Sequence, residues 1–200
     1  VVIPNGVDLE DFPTPRVRSD HNKPLRIGYL GRIAREKNVG ALCEAFVGGV
    51  DGREHRLFLA GPKSDEALAL AKTYGSRGVV LVGPKFGAEK FDFMRGLDLF
   101  VLPSLSEGFP ISAVEALAMG VPLLITRTSN FGYFFDTGSF FMCEPTVYGL
   151  QTGLDKALAQ SGEWEAMVLK GLSLVDRRLN WSTVAGEMLA AYSETRGVVR

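Results

Sequence analysis

From residue 25 onward the chain alternates between two apolar patterns. Short, mostly apolar runs fall at 25–30, 56–60, 79–82, 98–102, 121–126 and 139–143. Segments of helical period lie between them, at about 38–47, 64–74, 88–96 and 111–119. Gly61-Pro62, Gly83-Pro84 and Pro103 close three of the runs, as strand-ending punctuation does. Runs that are apolar throughout predict strands covered on both faces. Their alternation with helices predicts a parallel sheet, and right-handed crossovers make it doubly wound. The expected fold is therefore α/β, a Rossmann-like sheet of about six strands with helices on both faces. In such sheets ligands sit beyond the carboxyl ends of the strands, where strand order reverses.

The last third adds three further helices, at about 147–160, 163–178 and 181–195. In the final one Trp181, Val184, Ala185, Met188, Leu189 and Tyr192 make a single apolar stripe. The plain expectation is that this stripe packs on its own domain; the sharper one is that part of it docks on a segment outside the chain. Residues 1–24, with Pro13, Pro15 and Pro24, are expected to be a linker and the start of the domain, and 25–200 the domain itself. The chain opens on Val1, inside the apolar run Val1-Val2-Ile3. That start has neither an initiating Met nor a secretory pattern, so a piece of a longer protein is expected.

Composition narrows the function classes. Apolar residues are 46% and charged residues 22% of the 200, the balance of a globular domain. Twenty-two basic against 23 acidic residues give a net charge of −1, which argues against a broad nucleic-acid or anionic-membrane surface. Cys43 and Cys143 offer no disulfide framework and no metal-ligand spacing. With only His21 and His55 and no H-E-x-x-H, a metallohydrolase is not expected. No G-x-G occurs anywhere, which removes the dinucleotide fingerprint of an oxidoreductase. A Walker loop is missing too.

Three loops carry candidate chemistry. Gly31 follows the first strand, and a glycine there lets backbone approach a ligand. Arg32 and Lys37 then place two cations near the same crevice, suited to phosphate oxygens; a solvated charged loop explains them equally well. After the fourth strand comes Ser106-Glu107-Gly108-Phe109-Pro110, leading into a helix that carries Glu115. Amides at that helix start suit an anion, and Pro110 suits a first helical turn. Glu115 offers acceptors for sugar hydroxyls, or is simply a paired helix acid. The third loop, Gly83-Pro84-Lys85-Phe86-Gly87, could let backbone atoms meet a base edge beside the apolar wall of Phe86.

Taken in order, several segments resemble one family. They are Ile3-Pro4-Asn5-Gly6-Val7-Asp8 with Phe12, Gly31-Arg32 with Lys37-Asn38, and Leu59-Ala60-Gly61. Asp98–Pro103 follows, running into Glu107-Gly108-Phe109-Pro110, Glu115-Ala116 and Gly120-Val121-Pro122, with Trp181 near the end. The set resembles the C-terminal, donor-binding half of family-four glycosyltransferases of the GT-B fold. The resemblance implies transfer of a sugar from a nucleoside-diphosphate sugar, with retained anomeric configuration and without a bound metal or other cofactor. It implies Arg32, Lys37 and Gly31 on the diphosphate, and Glu107 as the catalytic-site carboxylate beside the sugar. Gly108, Phe109 and Pro110 become the sugar and phosphate turn, Glu115 the ribose acceptor, and Val82, Gly83 and Pro84 the base site. The implied partners are the donor and an N-terminal acceptor domain outside this chain, with an unspecified sugar or lipid acceptor and no nucleic-acid polymer. The implied location is cytoplasmic, with peripheral attachment at the inner membrane face left open for the full-length protein.

Two departures accompany the likeness. Leu97-Asp98 replaces a usual Ala-Asp, and Ser129–Phe135 lacks the Gly-Gly-x-x-Glu run common after the fifth strand. Tyr133, Phe134 and Phe135 are expected to pack rather than to contact a sugar. The competing reading is a non-catalytic nucleotide-sugar-binding or structural module of a larger complex.

Overall fold

A computed structural model describes residues 3–15, 24–49 and 55–197. Residues 1–2 and 16–23 of the expected linker, His21 among them, lie outside the described residues. Six strands form one sheet: β1 (Arg26–Leu30), β2 (Arg56–Ala60), β3 (Val79–Leu81), β4 (Leu99–Leu102), β5 (Leu123–Thr126) and β6 (Phe141–Cys143). Their order is β3-β2-β1-β4-β5-β6, and every neighbouring pair is parallel. This is the doubly wound order, with its reversal between β1 and β4. There the register pairs Ile27 with Leu99 and Gly28 with Phe100.

The helices are α1 (Val39–Gly49), α2 (Asp65–Tyr74), α3 (Gly87–Arg95), α4 (Ile111–Ala118), α5 (Val147–Ala159), α6 (Trp164–Arg178) and α7 (Trp181–Gly197). α1 packs against α5 and α2, and α4 packs against α6, so both faces of the sheet are covered. This cover explains why β4, and β5 up to its closing Thr126, are apolar without alternation: all four residues of each are buried. Local signals start the helices. Ser64 caps α2 by accepting from Ala67 N–H, and Thr146 caps α5 by accepting from Gly149 N–H. Among the described residues no helix is long and apolar enough to cross a membrane.

The two residues of the Leu97-Asp98 departure both have structural work. The Leu97 side chain fills the space over Gly28, where an added Cβ would lie 2.4 Å from Leu97 Cδ1. The buried Asp98 carboxylate accepts from Arg26 N–H at 2.7 Å, and Asp98 N–H donates back to Arg26 O at 2.8 Å. Together they fix the start of β4 against β1, and hence the register of the two strands that flank the crevice.

The beginning of the described chain returns to its far end. Val7 forms a bridge with Asn180: Val7 N–H donates to Leu179 O at 2.8 Å and Trp181 N–H to Val7 O at 3.1 Å. Gly6 must be small there, because a Cβ would lie 2.8 Å from Trp181 N. Phe12 stacks at a tilt on Phe91 of α3, ring centroids 5.1 Å apart.

The plain expectation for the last helix holds only for part of its stripe. Of its six-residue stripe Val184 is buried and Met188 half-buried, while Trp181, Ala185, Leu189 and Tyr192 are exposed. Helical spacing shows that a face is apolar; it does not say what covers it. Nor does the Tyr133–Phe135 segment pack as a block. Residues 127–129 and 132–137 form short 3-10 turns that bury Phe131 and Phe134 and leave Tyr133 74% exposed. Phe131 gathers Phe109, Phe134 and Phe140 around it, with centroids 5.1–5.9 Å apart.

Candidate functional site

The reversal between β1 and β4 opens a cleft of about 260 Å³ at the carboxyl ends of the two strands. Its lining includes Gly31, Arg32, Lys37, Glu107, Phe109 and Pro110, six residues singled out by sequence. Tyr29, Leu30, Leu102 and the first residues of α4, Ile111 and Ser112, complete the wall.

Lys37 comes from a single 3-10 turn, Arg35–Lys37, that ends on Asn38 in the left-handed region at φ 57°. Asn tolerates that conformation better than most residues. Asn38 Nδ2 donates to Pro103 O and to Pro145 O, both at 3.0 Å, so one side chain ties the loops after β1, β4 and β6. Leu105 N–H donates to Glu36 O at 2.9 Å across the same gap. Lys37 Nζ thereby reaches Glu107, donating to Oε1 at 2.7 Å and Oε2 at 2.9 Å, the two side chains being 18% and 13% exposed. The buried Ser104 hydroxyl donates a third bond to Glu107 Oε1 at 2.6 Å. Charge-assisted bonds of this kind are worth about 1.5–3 kcal/mol each.

The Glu107 turn is held from behind. Asn130, also left-handed at φ 51°, donates to Glu107 O at 2.6 Å. Thr126 and Thr128 both donate to Ser104 O, at 2.6 and 2.7 Å. Ile111 N–H donates to Phe109 O and Ala113 N–H to Pro110 O, which sets the start of α4 against the cleft. Pro110 itself occupies the N-cap position, one place ahead of the first helical turn that the sequence suggested. An eight-residue helix so placed directs its positive end at the cleft.

Arg32 is freer. Its guanidinium, 71% exposed, pairs with Glu36 at 3.1 Å, and its carbonyl accepts from Tyr29 Oη at 2.6 Å. Burial, and next the Glu107 charge, hold the Tyr29 phenol well above its usual range, so it remains a donor. Gly31 has no room for a side chain, since a Cβ would lie 2.7 Å from Tyr29 Oη.

Not every expected residue faces this cleft. Gly108 lines a neighbouring hollow of about 380 Å³ with Ile3, Pro4, Asn5, Asn130, Tyr133, Phe134 and Arg178, Phe109 being common to both. Glu115 lies further along α4, three residues after Ser112, where Lys90 of α3 donates to its Oε1 at 2.5 Å. Val82, Gly83 and Pro84 follow β3 at the sheet edge, two strands from the reversal. Gly83, at φ 79°, accepts through its carbonyl from Gly61 N–H at 3.1 Å, and Gly31 N–H donates to Ala60 O at 2.9 Å. The three strand-end glycines thus form a row along the carboxyl edge. Val82 contributes to a separate hollow of about 300 Å³ beside Phe58 and Phe93.

Sequence reasoning missed Ser104 and Lys90. Ser104 stands three residues before Glu107, a spacing that sequence could have exposed. Lys90 and Glu115 are 25 positions apart, and only the folded chain brings the two side chains together. Among the described residues no three His, Cys, Asp or Glu side chains gather as a metal-ligand group.

Residues 24–161 match the family described as Glycosyl transferases group 1. The D-inositol 3-phosphate glycosyltransferase of Xylanimonas cellulosilytica is 28% identical over an alignment that covers 96% of this chain and 51% of that protein. Two further curated relatives, EpsF of Bacillus subtilis and the mannosyltransferase LpsB of Rhizobium meliloti, are spanned over 35% and 55% of their own length, so the chain covers about half or less of each. Among solved structures, the C-terminal domain of a glycosyl transferase group 1 family protein from Francisella tularensis superposes with a TM-score of 0.75 at 22% identity. That match covers 88% of this chain and 100% of that one. Anabaena HepE, solved with UDP and glucose, gives a TM-score of 0.80 at 16% identity, covering 97% of this chain and 57% of its own.

Proposed function

The chain belongs to the glycosyl transferases group 1, and from that premise we propose that it is the donor-binding half of a retaining, metal-independent glycosyltransferase. The carrying observation is the cleft at the β1/β4 reversal, where a paired lysine and carboxylate meet the N-terminus of a helix. In this reading the diphosphate of a nucleoside-diphosphate sugar lies over Gly31, between Arg32 and Lys37. Those cations and the positive end of α4 offset the charge that develops on the leaving diphosphate, in place of a metal. Glu107 stands at the sugar end and fixes both Lys37 and the bound sugar, while Gly108, Phe109 and Pro110 form the turn beneath it. Glu115 takes the ribose hydroxyls, and Val82–Pro84 the base. The UDP and glucose bound by Anabaena HepE, on the same fold, support this class of ligand.

The acceptor and its binding residues belong to the rest of the protein, and residues 25–200 act as one donor-binding unit. The exposed stripe of α7, with Trp181 and Leu189, fits a surface that meets that remaining part. Calorimetry of the 200-residue chain against UDP, GDP and ADP tests the reading. Heat with one of them, weakened by Lys37→Ala and Arg32→Ala, and no sugar transfer by the chain alone, are the expected results. Absence of heat with all three sinks it.

A further inference from the structure

Lys90, the fourth residue of α3, crosses to α4 and bonds Glu115 at 2.5 Å. The two side chains are 24% and 12% exposed. The Lys90 ammonium also lies 5.0 Å from the centroid of the Phe91 ring, which Phe12 braces from its other neighbourhood at 5.1 Å. Partial burial of two charges is a poor route to stability, because desolvation cancels much of their attraction. The arrangement therefore calls for another reason, and the cleft supplies one. Glu107 and Glu115 are the two carboxylates of the proposed donor site, and each holds an ammonium from an earlier stretch of chain, Lys37 and Lys90.

We propose that Lys90 is a positioning residue for the donor's ribose, acting through Glu115. The inference rests on the reading of Glu115 as the ribose acceptor. An ionised carboxylate has about four lone-pair sites; the ammonium engages Oε1 and leaves acceptor capacity for both hydrogens of a vicinal diol. A carboxylate at the end of a Glu side chain turns easily, since its last torsion is broad. The ammonium on one oxygen sets the plane in which the other accepts. The same positive charge offsets the repulsion that Glu115 would exert on the donor's diphosphate. Lys90 itself touches no part of the donor.

The test compares ribose with 2′-deoxyribose. Calorimetry of the 200-residue chain first finds which of UDP, GDP and ADP binds, then repeats the titration with its 2′-deoxy counterpart. The unsubstituted chain is expected to prefer the ribo form. Lys90→Met, close in volume, should weaken the ribo form about tenfold and the 2′-deoxy form, which keeps its 3′-hydroxyl and its diphosphate, by clearly less, so that the preference narrows. Lys90→Arg, which keeps a cationic donor, should retain it. A Lys90→Met chain that weakens both forms equally, or keeps the ribo preference in full, overturns the proposal. A thermal melt checks folding, and Lys90→Gln carries the same comparison should the Met variant not fold. If Glu115→Gln abolishes the preference while Lys90→Met keeps it, the ribose reading stands and the role of Lys90 falls. If the unsubstituted chain binds no nucleotide, both fall.

Discussion

Replacing Glu107 by Gln is expected to tighten nucleoside-diphosphate binding, although Glu107 sits in the centre of the site. In the free chain Lys37 spends two of its three N–H donors on Glu107, at 2.7 and 2.9 Å. A diphosphate placed between Arg32 and Lys37 competes for those donors and approaches the carboxylate's negative charge. Gln keeps the volume and one acceptor oxygen but removes the charge. The Gln oxygen still accepts from the Lys37 ammonium, so what is lost is the second bond and the carboxylate's charge, and the competition weakens by about 1–2 kcal/mol. Affinity for UDP, GDP or ADP, whichever binds, should rise roughly 5- to 30-fold. Lys37→Met should do the opposite and lose roughly 10-fold or more. Calorimetry measures both, with thermal melts to confirm folding. Equal or weaker binding by Glu107→Gln, alongside the expected loss in Lys37→Met, would refute the competition between carboxylate and diphosphate. If Lys37→Met left affinity untouched, the diphosphate would not lie on Lys37 at all.

Gly61→Ala places a Cβ 2.2 Å from Gly31 O, a backbone atom that cannot swing aside. It should cost about 1–3 kcal/mol, read as a lower urea midpoint at unchanged slope; a midpoint equal to that of the unsubstituted chain would show that the strand ends yield more than the packing allows. Burial pushes the Cys43 and Cys143 thiols up from 9.0 to about 12. A raised value in the folded state gives stability that is whole below pH 9 and is lost as pH climbs from 9 toward 12. The melting temperature should fall across that window, and less steeply in the Cys43→Ala/Cys143→Ala chain; identical slopes would count against the thiols as the cause.

Strands and helices were legible because each is decided by its own residues. The all-apolar β4, and β5 up to its closing Thr126, needed only a covering layer on each side, and the alternation with helices announced one. Lys37, Glu107 and Pro110 were legible as site residues because they follow strands that the doubly wound pattern brings together. What stayed hidden depends on distant partners. Lys37 and Glu107 are 70 residues apart, and Lys90 and Glu115 are 25 apart, so the pairs exist only once the crossovers are built. The 3-10 turns at 127–129 and 132–137 are too short to show a period, and so Tyr133 was expected inside and lies outside. The α7 stripe misled for the opposite reason: its period is plain, but an apolar face names no partner.

The bridge between Val7 and Asn180 turns residues 7 to 180 into a closed ring. Backbone on either side of the ring leaves from a single node, sealed by Val7 N–H to Leu179 O and Trp181 N–H to Val7 O. Tension between the two sides is therefore borne first by those two backbone bonds, before it reaches the sheet. A neighbouring body joined on either side would hang from this one junction, which lies on an element other than the strands that frame the β1/β4 cleft.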